Sequence, residues 1–532
     1  MLSSVGKRCL GCFFVLCLFF LAASLRLCQI AGGTKYAAAQ NTQSSYRLTL
    51  TRARGLIYDR NGLPLNNRTK RWLAVAQPIP RAVTMLQSVL KDDPALDGVL
   101  HRLAAGEPAV CEVPRALDCD GITCVEVAVP HSADQPAEHT VGYLDAAGHG
   151  VTGLEAAFDD LLYSRSAIQA VFATDGRGEL LRGVAATVES HFDAAGNYVT
   201  TTLDLSVQEA AEQAALQFEK GAVAVCKPDT GELLALVSRP SFDCTDVGKY
   251  LHDASSPLMN RTLTGFSVGS VFKPCIAAAA LESGLADYRH FCGGEEEIDG
   301  RVFRCHKMGG HGEMSLSDGI CNSCNCYFYT LAAKVGAESL QRMASVLNFG
   351  AAIAVAPQFF AETNLPVLFD NKSQLANFAI GQGELLLSSV SILSLYCAIA
   401  NGGRYTLPHL VTATATGGKI TPYTVAETTA FSAQTAGVLQ GALQRVITEG
   451  TGTAAAPTRC TAAGKTATAQ TGTYNEKGVE RTNGWFCGYF PAEHPQYVAA
   501  VVIEDAIGSE AAAVFAQLAD RIMCFSTEKQ KN

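Results

Sequence analysis

The sequence predicts an α+β fold, in which an antiparallel sheet is flanked by helices, behind a single N-terminal membrane segment. Strand-like patterns lie near both ends of the region that starts at Gly221, and helical patterns lie between them. A region that begins and ends in strands, with helices between, is typical of one antiparallel sheet closed by its own termini. These two observations, together with an apolar N-terminal run, predict the class of fold.

The predicted strands come in two sets. The first set is a hairpin whose turn is Pro228–Gly231, a group of turn formers between two apolar runs. The second set lies near the C-terminus and is followed by an apolar helix pattern over 510–523. The predicted strands are 221–225, 233–238, 463–470, 485–490 and 497–504, and the clearest helices between the sets are 274–283 and 316–335. The small, polar stretch 451–457 is predicted to be a loop.

Length and composition exclude several classes of protein. The chain has 532 residues, of which 48% are hydrophobic and 17% are charged, so it is not a disordered chain. At about 100–200 residues per domain, it holds two or more folded units. The net charge of −9, with no basic stripe, argues against nucleic acid as a partner. The odd number of 19 cysteines excludes complete disulfide pairing within one chain.

A membrane segment is predicted at the N-terminus. Lys7 and Arg8 precede an uncharged apolar run over 9–25, and its 17 residues are close to the minimum for a membrane-spanning helix. Positive charges on the leading side favour a cytoplasmic N-terminus, so the chain after about Gln29 is expected outside the cytoplasm. A cleaved signal peptide is the alternative, because Ala22–Ser24 offers small residues at a cleavage position.

The first candidate for catalysis is the pair Ser270 and Lys273, at the start of a predicted helix. Two side chains three residues apart lie on the same helix face, so the amine can reach the hydroxyl. If burial lowers the pKa of the lysine, its neutral amine can take the serine proton and make a nucleophile without histidine. The spacing alone is weak evidence, since a helix-capping serine followed by a solvated lysine has the same pattern.

Two further motifs follow in chain order. Ser323-Cys324-Asn325 lies in a predicted helix-rich segment, and Lys465 begins a second triplet, Lys-Thr-Ala, on a predicted strand. Each triplet alone is compatible with a polar helix surface or with a strand edge that carries a lysine for solubility. In this order and on these element types, the three motifs match the signature of penicillin-recognising serine acyltransferases.

The wider sequence resembles class B penicillin-binding proteins. Arg54–Gly62 is similar to the opening motif of that family, just after the membrane segment. The segments 139–143 and 153–155 are similar to its pedestal. Further similarities, to the transpeptidase domain of the family, are Asn260-Arg261, 381–383, 401–403, Pro408-His409, 488–489 and Pro491.

The resemblance implies a domain organisation and a location. A cytoplasmic tip and transmembrane anchor are expected over 1–28, a pedestal of the dimerisation type over 29–215, and a penicillin-binding transpeptidase domain over 216–532. The family keeps its anchor uncleaved, so a single-pass protein of the cell membrane is expected, with its catalytic domain outside the cytoplasm. Because the region before Gly221 carries pedestal motifs instead of a glycosyltransferase domain, a glycan-polymerising membrane partner is expected too. No cofactor is implied.

The activity implied by the resemblance is peptidoglycan D,D-transpeptidation, which cross-links stem peptides that end in D-Ala-D-Ala. In the family's pattern Ser270 is the nucleophile that forms an acyl-enzyme, and Lys273 is its general base. Ser323 relays a proton to the leaving amine, while Asn325 holds the lysine and the substrate amide. β-Lactams acylate the same serine because they resemble the D-Ala-D-Ala end.

The third motif is expected to bind the end of the donor peptide. Lys465 tunes the proton relay and, with Thr466 and Thr468, receives the terminal carboxylate. The backbone N–H groups of Ser270 and Thr468 form the oxyanion hole, where negative charge develops in the reaction. Ala467 departs from the family's pattern, which has glycine here, so its methyl group either protrudes at the strand edge or points away, depending on the pleat.

Cysteine and histidine residues flank the second motif. Cys292, Cys305, His311 and Cys321 offer three thiols and an imidazole, the donor set of a closed structural zinc site. Some elongation-type members of the family resemble this in carrying a metal near the motif, although the spacing here is not that of a zinc finger. A Cys292–Cys305 disulfide and free thiols are the alternatives, and the site assigned from the motifs includes no metal ligand.

Two other functions remain open from the sequence. A serine β-lactamase or D,D-carboxypeptidase shares the three motifs, but it has to activate water for deacylation. Class A β-lactamases use a Glu with an Asn four residues later, and none of the five Glu residues between Ser323 and Lys465 has that neighbour. The other alternative is a catalytically weak penicillin-binding scaffold or sensor, for which Ala467 is the only hint.

Overall fold

The computed structural model describes residues 4–32, 45–175, 177–181, 183–190, 196–366, 369 and 371–529. Short 3₁₀ helices lie at Val247–Tyr250, Gly269–Phe272 and Thr453–Ala455. The α-helices of this described part, in chain order, are α1 (Ser4–Gly32), α2 (Pro80–Val89), α3 (Leu96–Ala104), α4 (Glu138–Val141), α5 (Gly153–Ala157), α6 (Asp159–Leu162), α7 (Leu205–Ala215), α8 (Lys273–Glu282), α9 (Leu316–Cys321), α10 (Asn325–Val335), α11 (Ala337–Val346), α12 (Lys372–Ala379), α13 (Ser389–Ala400), α14 (Ala433–Thr448) and α15 (Gly508–Lys529).

The described part of the chain also contains β-strands. In chain order they are β1 (Ser45–Arg54), β2 (Leu56–Tyr58), β3 (Thr69–Ala76), β4 (Ala109–Val113), β5 (Ile122–Val129), β6 (Tyr163–Ala173), β7 (Thr187–Glu189), β8 (Tyr198–Thr201), β9 (Gly221–Cys226), β10 (Leu233–Arg239), β11 (His290–Cys292), β12 (Glu295–Ile298), β13 (Arg301–Arg304), β14 (Gly312–Met314), β15 (Ile353–Ala356), β16 (Phe359–Ala361), β17 (Thr363–Asn364), β18 (Leu386–Leu387), β19 (Arg404–Thr406), β20 (Val411–Thr416), β21 (Lys419–Pro422), β22 (Glu427–Thr429), β23 (Ala463–Tyr474), β24 (Glu480–Phe490) and β25 (Tyr497–Glu504).

The N-terminal helix α1 carries the predicted membrane segment. Its stretch Leu10–Gln29 is 20 residues long and apolar enough to cross a membrane. Phe13, Phe19 and Leu21 on this helix are more than half exposed, as expected for side chains that would face lipid. The sequence therefore predicted this element correctly as a long apolar helix.

One compact unit consists of residues 1–53, 70–128 and 164–192. It contains two three-stranded sheets, with strand orders β1-β6-β7 and β4-β3-β5. The helices α2 and α3 bury Leu86, Val99 and Leu103 against residues of β3 and β4. This small core gives the unit its own hydrophobic interior.

The second compact unit consists of residues 54–69, 129–163 and 193–532. Its main sheet has five antiparallel strands in the order β10-β9-β25-β24-β23, so strands from both ends of the region meet at its centre. Val223 of β9 lies opposite Val237 of β10 on one side and Val501 of β25 on the other. The predicted sheet closed by its own termini, and with it the α+β class, is confirmed.

Helices cover both faces of this sheet. Successive strand residues point to opposite faces, so Ala222 and Ala224 of β9 pack into one core with the fully buried helix α13, while Val223 and Val225 pack into another core with α15. Since both faces are covered, β9 is buried at every position. The first of these cores also contains α8, the helix that follows Ser270.

Two local predictions need correction. The helical segment predicted over 316–335 consists of α9 and α10, separated by a turn in which Ser323 has a φ of 54°. A left-handed residue cannot continue a right-handed helix, so the chain changes direction there. The stretch 451–457, predicted as a loop, contains the short 3₁₀ helix Thr453–Ala455.

Candidate active site

The candidate nucleophile Ser270 lies in the 3₁₀ turn Gly269–Phe272, which leads directly into α8 at Lys273. Pro274 favours the start of this helix, because its fixed φ suits a first turn and it needs no N–H partner there. Gly269 has a φ of 61° and donates its N–H to Gly381 O at 2.8 Å. A β-carbon on Gly269 would lie 3.1 Å from the methyl group of Ala469, so the turn depends on glycine.

Lys273 is completely buried beneath the second motif. Its Nζ donates to Ser323 O at 2.6 Å, to Asn325 Oδ1 at 2.7 Å and to Ser323 Oγ at 3.3 Å. All three acceptors are uncharged oxygen atoms, so the ammonium group has hydrogen bonds but no carboxylate among these partners. Burial lowers the pKa of Lys273 to about 7, although the nearby thiols of Cys324 and Cys305 oppose the shift.

The turn between α9 and α10 positions the second motif around this lysine. Ser323, at a φ of 54°, donates its N–H to Ile320 O at 3.1 Å and points its carbonyl at Lys273. Such a conformation is strained for a residue other than glycine and is typical of functional sites. The next helix starts at Asn325, whose side chain is thereby placed beside the same amine.

The third motif lies on β23, the edge strand of the main sheet. Lys465 is completely buried, and its pKa is well below its usual value, because of burial first and the charge of Lys273 second. Thr466 Oγ1 lies 3.0 Å from Thr451 Oγ1, and Thr468 Oγ1 accepts the N–H of Gly508 at 2.9 Å. An edge strand leaves backbone N–H and C=O groups available to an added peptide.

The methyl group of Ala467 faces the nucleophile's turn. It lies 3.2 Å from the position that a β-carbon on Gly269 would take, and Ala467 is only 4% exposed. On the same face of the strand, Lys465 and Ala469 are also buried, as the alternation of a strand requires. Of the two orientations left open by the sequence, the structure has the one in which the methyl group does not protrude.

A cleft of about 310 Å³ joins the three motifs. Its lining residues are Ser270, His306, Ser323, Asn325, Thr451, Thr466, Ala467, Thr468, Ile507, Gly508 and Ser509. The two lysines of the motifs are buried beneath this surface. The eight residues predicted for the site are therefore brought together at one place.

Five residues of the cleft were missed by the sequence reasoning. Thr451 lies in the stretch predicted as a loop, and 507–509 lie where β25 passes into α15. A weak signal existed for both, because loops that follow or precede motif-bearing elements commonly line a site. His306 had no such signal, since it belongs to no motif and lies in a segment between two candidate metal ligands.

Beside the second motif, Cys292, Cys305, His311 and Cys324 form a compact cluster. Their ligand atoms all lie within 4.8 Å of one another, and His311 Nδ1 is 3.6 Å from Cys292 Sγ and 3.5 Å from Cys305 Sγ. Ligand atoms bound tetrahedrally to zinc are separated by about 3.3–3.8 Å, given metal–ligand bonds of about 2.0–2.3 Å. The two distances from His311 match this spacing, and three thiols with one imidazole are a donor set that zinc binds.

The predicted ligand set was wrong in one member. Cys321 ends α9 and directs its Sγ toward Arg445 O at 3.6 Å, whereas Cys324, beyond the left-handed turn, faces the other three ligands. The predicted alternative of a Cys292–Cys305 disulfide is also wrong, because both residues are free thiols in the structure.

Comparison with known proteins identifies the family. Residues 221–523 match the penicillin-binding protein transpeptidase domain. Stage V sporulation protein D of Bacillus subtilis is 28% identical, over 95% of this chain and 83% of that protein. The peptidoglycan D,D-transpeptidase MrdA of Acinetobacter baumannii is 26% identical, over 92% of this chain and 83% of its own.

Solved structures agree with this assignment at the level of the fold. Penicillin-binding protein 3 of Mycobacterium tuberculosis, in complex with ampicillin, superimposes with a TM-score of 0.66 at 24% identity, covering 90% of this chain and 96% of that one. The D,D-transpeptidase domain from Eggerthella lenta superimposes with a TM-score of 0.65, also at 24% identity, covering 90% and 99% of the two chains. The chain therefore belongs to the penicillin-binding proteins with a transpeptidase domain, in the class B group that the sequence predicted.

Proposed function

We propose that this protein is a peptidoglycan D,D-transpeptidase that works through an acyl-enzyme at Ser270. The observation that carries the proposal is the buried amine of Lys273, whose pKa is lowered to about 7 one turn after the candidate nucleophile. A base that is partly neutral near pH 7 suits proton transfer at physiological pH. The transpeptidase domain and the relatives named D,D-transpeptidase support the same chemistry.

In the first half-reaction, Ser270 Oγ attacks the carbonyl carbon of the penultimate D-Ala while Lys273 accepts the hydroxyl proton. The peptide C–N bond then breaks, and the proton passes to the departing D-Ala amine by way of Ser323, whose hydroxyl lies 3.3 Å from the lysine Nζ. Backbone N–H groups of Ser270 and Thr468 stabilise the negative charge on the carbonyl oxygen. The products are free D-Ala and an ester between the peptide and Ser270.

Substrate recognition is assigned to β23 and to Asn325. The terminal carboxylate of the donor is held by Thr466 and Thr468, with Lys465 beneath them supplying a cationic or polar group. Asn325 Oδ1 accepts a hydrogen bond from Lys273, and this bond orients the side-chain amide group of Asn325 toward the cleft. Ala467 leaves this surface open, because its methyl group faces Gly269.

In the second half-reaction, an amine of a neighbouring stem peptide attacks the ester carbonyl. A new amide bond forms, the ester bond breaks, and the proton lost by the amine returns to Ser270 through Lys273. A β-lactam enters the first half-reaction in the same way, but its opened ring stays attached and blocks the acceptor. Both steps use the same residues, so no further catalytic group is required.

The cysteine cluster is assigned a structural role. Zinc held by Cys292, Cys305, His311 and Cys324 would have four protein ligands and no open position for a water or a substrate. The bound zinc would cross-link the segment 292–311 to the second motif, since Cys324 lies between Ser323 and Asn325.

The domain organisation and location are proposed from the same resemblance. We propose an anchor over 1–28, a pedestal over 29–215 and a catalytic domain over 216–532 outside the cytoplasm. The apolar helix α1 supports a single membrane crossing. The segments 139–143 and 153–155, which resemble the family's pedestal, support a separate membrane partner that polymerises the glycan.

The proposed function is tested by labelling. Full-length protein in detergent is incubated with a fluorescent penicillin, and the labelled peptide is identified by mass spectrometry. We expect a stable adduct on Ser270, no adduct in Ser270→Ala, and normal labelling in the control Ser283→Ala, at the far end of the same helix. An adduct that disappears within seconds would indicate a β-lactamase, and the absence of any adduct on the wild-type protein would indicate a scaffold.

A donor pentapeptide distinguishes the remaining alternative. With a D-amino acid supplied as acceptor, the proposed transpeptidase forms an exchanged peptide in addition to the hydrolysed one. A D,D-carboxypeptidase yields only the hydrolysed product whatever the concentration of acceptor.

A further inference from the structure

His306 lies on the wall of the catalytic cleft, although no sequence motif includes it. The residue is exposed, and it lines the cleft beside Ser323 and Asn325. An exposed imidazole in the same cleft as a candidate nucleophile offers both a hydrogen-bond donor and an acceptor to a bound molecule. The chemistry described for the three motifs makes no use of it.

Two sets of contacts position this side chain. On one side, its ring lies 5.1 Å from the ring of His311, and its Nδ1 lies 3.9 Å from Cys305 Sγ. On the other side, the carbonyl oxygen of Arg304 accepts weak hydrogen bonds, both at 3.5 Å, from Asn325 Nδ2 and from the hydroxyl of Tyr329. The segment that carries His306 is therefore attached both to the cysteine cluster and to the helix of the second motif.

The cleft has two ends, and these contacts place His306 at one of them. Thr451 is hydrogen-bonded to Thr466, and Gly508 is hydrogen-bonded to Thr468, so these residues form the end where the donor's carboxylate is proposed to bind. Ile507 and Ser509 flank Gly508, and the rest of the lining consists of Ser270, Ala467 and His306 with the second motif. A donor whose carboxylate lies at the first end, and whose carbonyl lies at Ser270, has to leave the cleft along the second.

We propose that His306 is a specificity-determining residue, which hydrogen-bonds the part of the donor stem peptide that precedes D-Ala-D-Ala. This inference rests on the proposed transpeptidase function. The imidazole acts as a hydrogen-bonding group on a peptide amide or a polar side chain of the donor. A ligand that reproduces only the D-Ala-D-Ala end does not reach it.

The inference is tested by combining enzyme variants with donors of two lengths. Full-length protein in detergent is assayed for release of D-Ala from a stem pentapeptide and from the short donor acetyl-D-Ala-D-Ala, and for the acylation rate with benzylpenicillin. For His306→Ala we expect kcat/KM for the pentapeptide to fall about threefold to tenfold, the loss expected for one hydrogen bond, mainly through KM. The short donor and the penicillin should change less than twofold.

Two further variants sharpen the result. His306→Gln keeps a donor and an acceptor near the same place, so it should recover at least half of the lost kcat/KM for the pentapeptide. His252→Ala, an exposed histidine in a turn elsewhere on the same unit, should leave all three rates unchanged. Melting temperature and zinc content measured on each variant report any damage to the neighbouring cluster.

Several results would overturn the inference. Equal losses for the pentapeptide, the short donor and the penicillin would mean that His306 affects the catalytic groups and not recognition of the stem. Unchanged rates for all three ligands would mean that the residue does not touch the donor. These outcomes leave the proposed function intact, whereas a wild-type protein that accepts no penicillin would overturn both.

Discussion

Arg54 and Lys273 are both buried cations, but their surroundings differ in opposite ways. Arg54, in the segment similar to the family's opening motif, is 3% exposed at its side chain and forms ion pairs with Glu155 at 2.5 Å and Asp159 at 2.9 Å. Lys273, in the active site, is completely buried, and the hydrogen-bond acceptors around its amine are the uncharged oxygens of Ser323 and Asn325.

The difference separates a structural cation from the cation that is proposed to act in catalysis. Burial opposes ionisation of Glu155, but His131, whose Nε2 lies 3.3 Å from Glu155 Oε1, and the charge of Arg54 outweigh it, so the pKa of Glu155 is lowered. That pair stays charged and ties α5 to the segment that contains Arg54. At Lys273 burial outweighs the opposing effect of the nearby cysteines, so the pKa is lowered to about 7 and the amine becomes available as a base.

The largest effect expected from this comparison is on acylation. Lys273→Met keeps the length and burial of the side chain but removes the base, so the second-order rate of acylation by a penicillin should fall about 10²–10⁴-fold. The melting temperature should change little, because the cost of burying an amine without a carboxylate partner offsets the hydrogen bonds that it donates to Ser323 and Asn325. Stopped-flow labelling and thermal unfolding of the same preparations measure both quantities.

A lysine on the surface provides the control. Lys334→Met, on the exposed face of α10, should leave acylation within twofold of the wild type. If Lys273→Met were acylated at the wild-type rate, Lys273 would not be the base.

At Arg54 we expect the opposite result, a loss of stability without a loss of acylation rate. Arg54→Ala leaves the carboxylate of Glu155 buried without its cation, which typically costs about 3–5 kcal/mol of stability. Arg54 lies far from the three motifs along the sequence and is not one of the proposed catalytic groups. The folded fraction of the variant should therefore still be acylated at the wild-type rate. Thermal unfolding, with acylation normalised to folded protein, measures the two effects.

An exposed ion pair makes the matched control. Arg481 and Asp505 lie 2.8 Å apart but are about half exposed, so Arg481→Ala should cost about 1 kcal/mol or less. Equal destabilisation by the two substitutions would show that the burial of Arg54 has no special energetic consequence.

The pH dependence of acylation is the next largest effect. A base with a pKa of about 7 is mostly neutral at pH 8 and mostly protonated at pH 6, so the acylation rate should fall about tenfold between these values. The protein should remain folded over this range. The lowered pKa values of Glu155 and Asp159 mean that their contribution to stability is present above the ordinary carboxyl pKa and is lost only as the pH falls through the lowered values.

Rates measured from pH 5.5 to 8.5, with far-ultraviolet circular dichroism at each point, separate titration of the base from unfolding. An acylation rate independent of pH over this range would contradict the lowered pKa of Lys273.

The sequence predicted the sheet, the three motifs and their convergence, because each of these depends on short patterns whose order is read directly. It did not predict which cysteine completes the cluster. Spacing along the chain treats Cys321 and Cys324 alike, and only the left-handed turn at Ser323 decides that Cys324 faces the other ligands. A left-handed φ is uncommon for serine, so the local sequence does not predict this turn.

Ion pairs between segments far apart in the chain could not be predicted from the sequence either. Arg54 and Glu155 both lie in segments that resemble family motifs, but they are 101 residues apart along the chain. Neither segment contains a pattern that predicts their contact. His306 could not be predicted from the sequence either, because it lines the cleft without belonging to any motif.

The smallest effect is expected at Ala467, where the family's pattern has glycine. Its methyl group packs toward Gly269 and is buried, so Ala467→Gly should leave acylation by β-lactams within twofold of the wild type. Glycine in a strand gains freedom in the unfolded chain, so a loss of about 0.5–1 kcal/mol in stability is expected. Ala469→Gly, whose methyl group lies 3.1 Å from the position that a β-carbon on Gly269 would take, should cost a similar amount and serves as the matched control. Acylation rates and melting temperatures of the two variants test whether the methyl group of Ala467 obstructs the substrate. An acylation rate raised fivefold or more in Ala467→Gly alone would mean that it does.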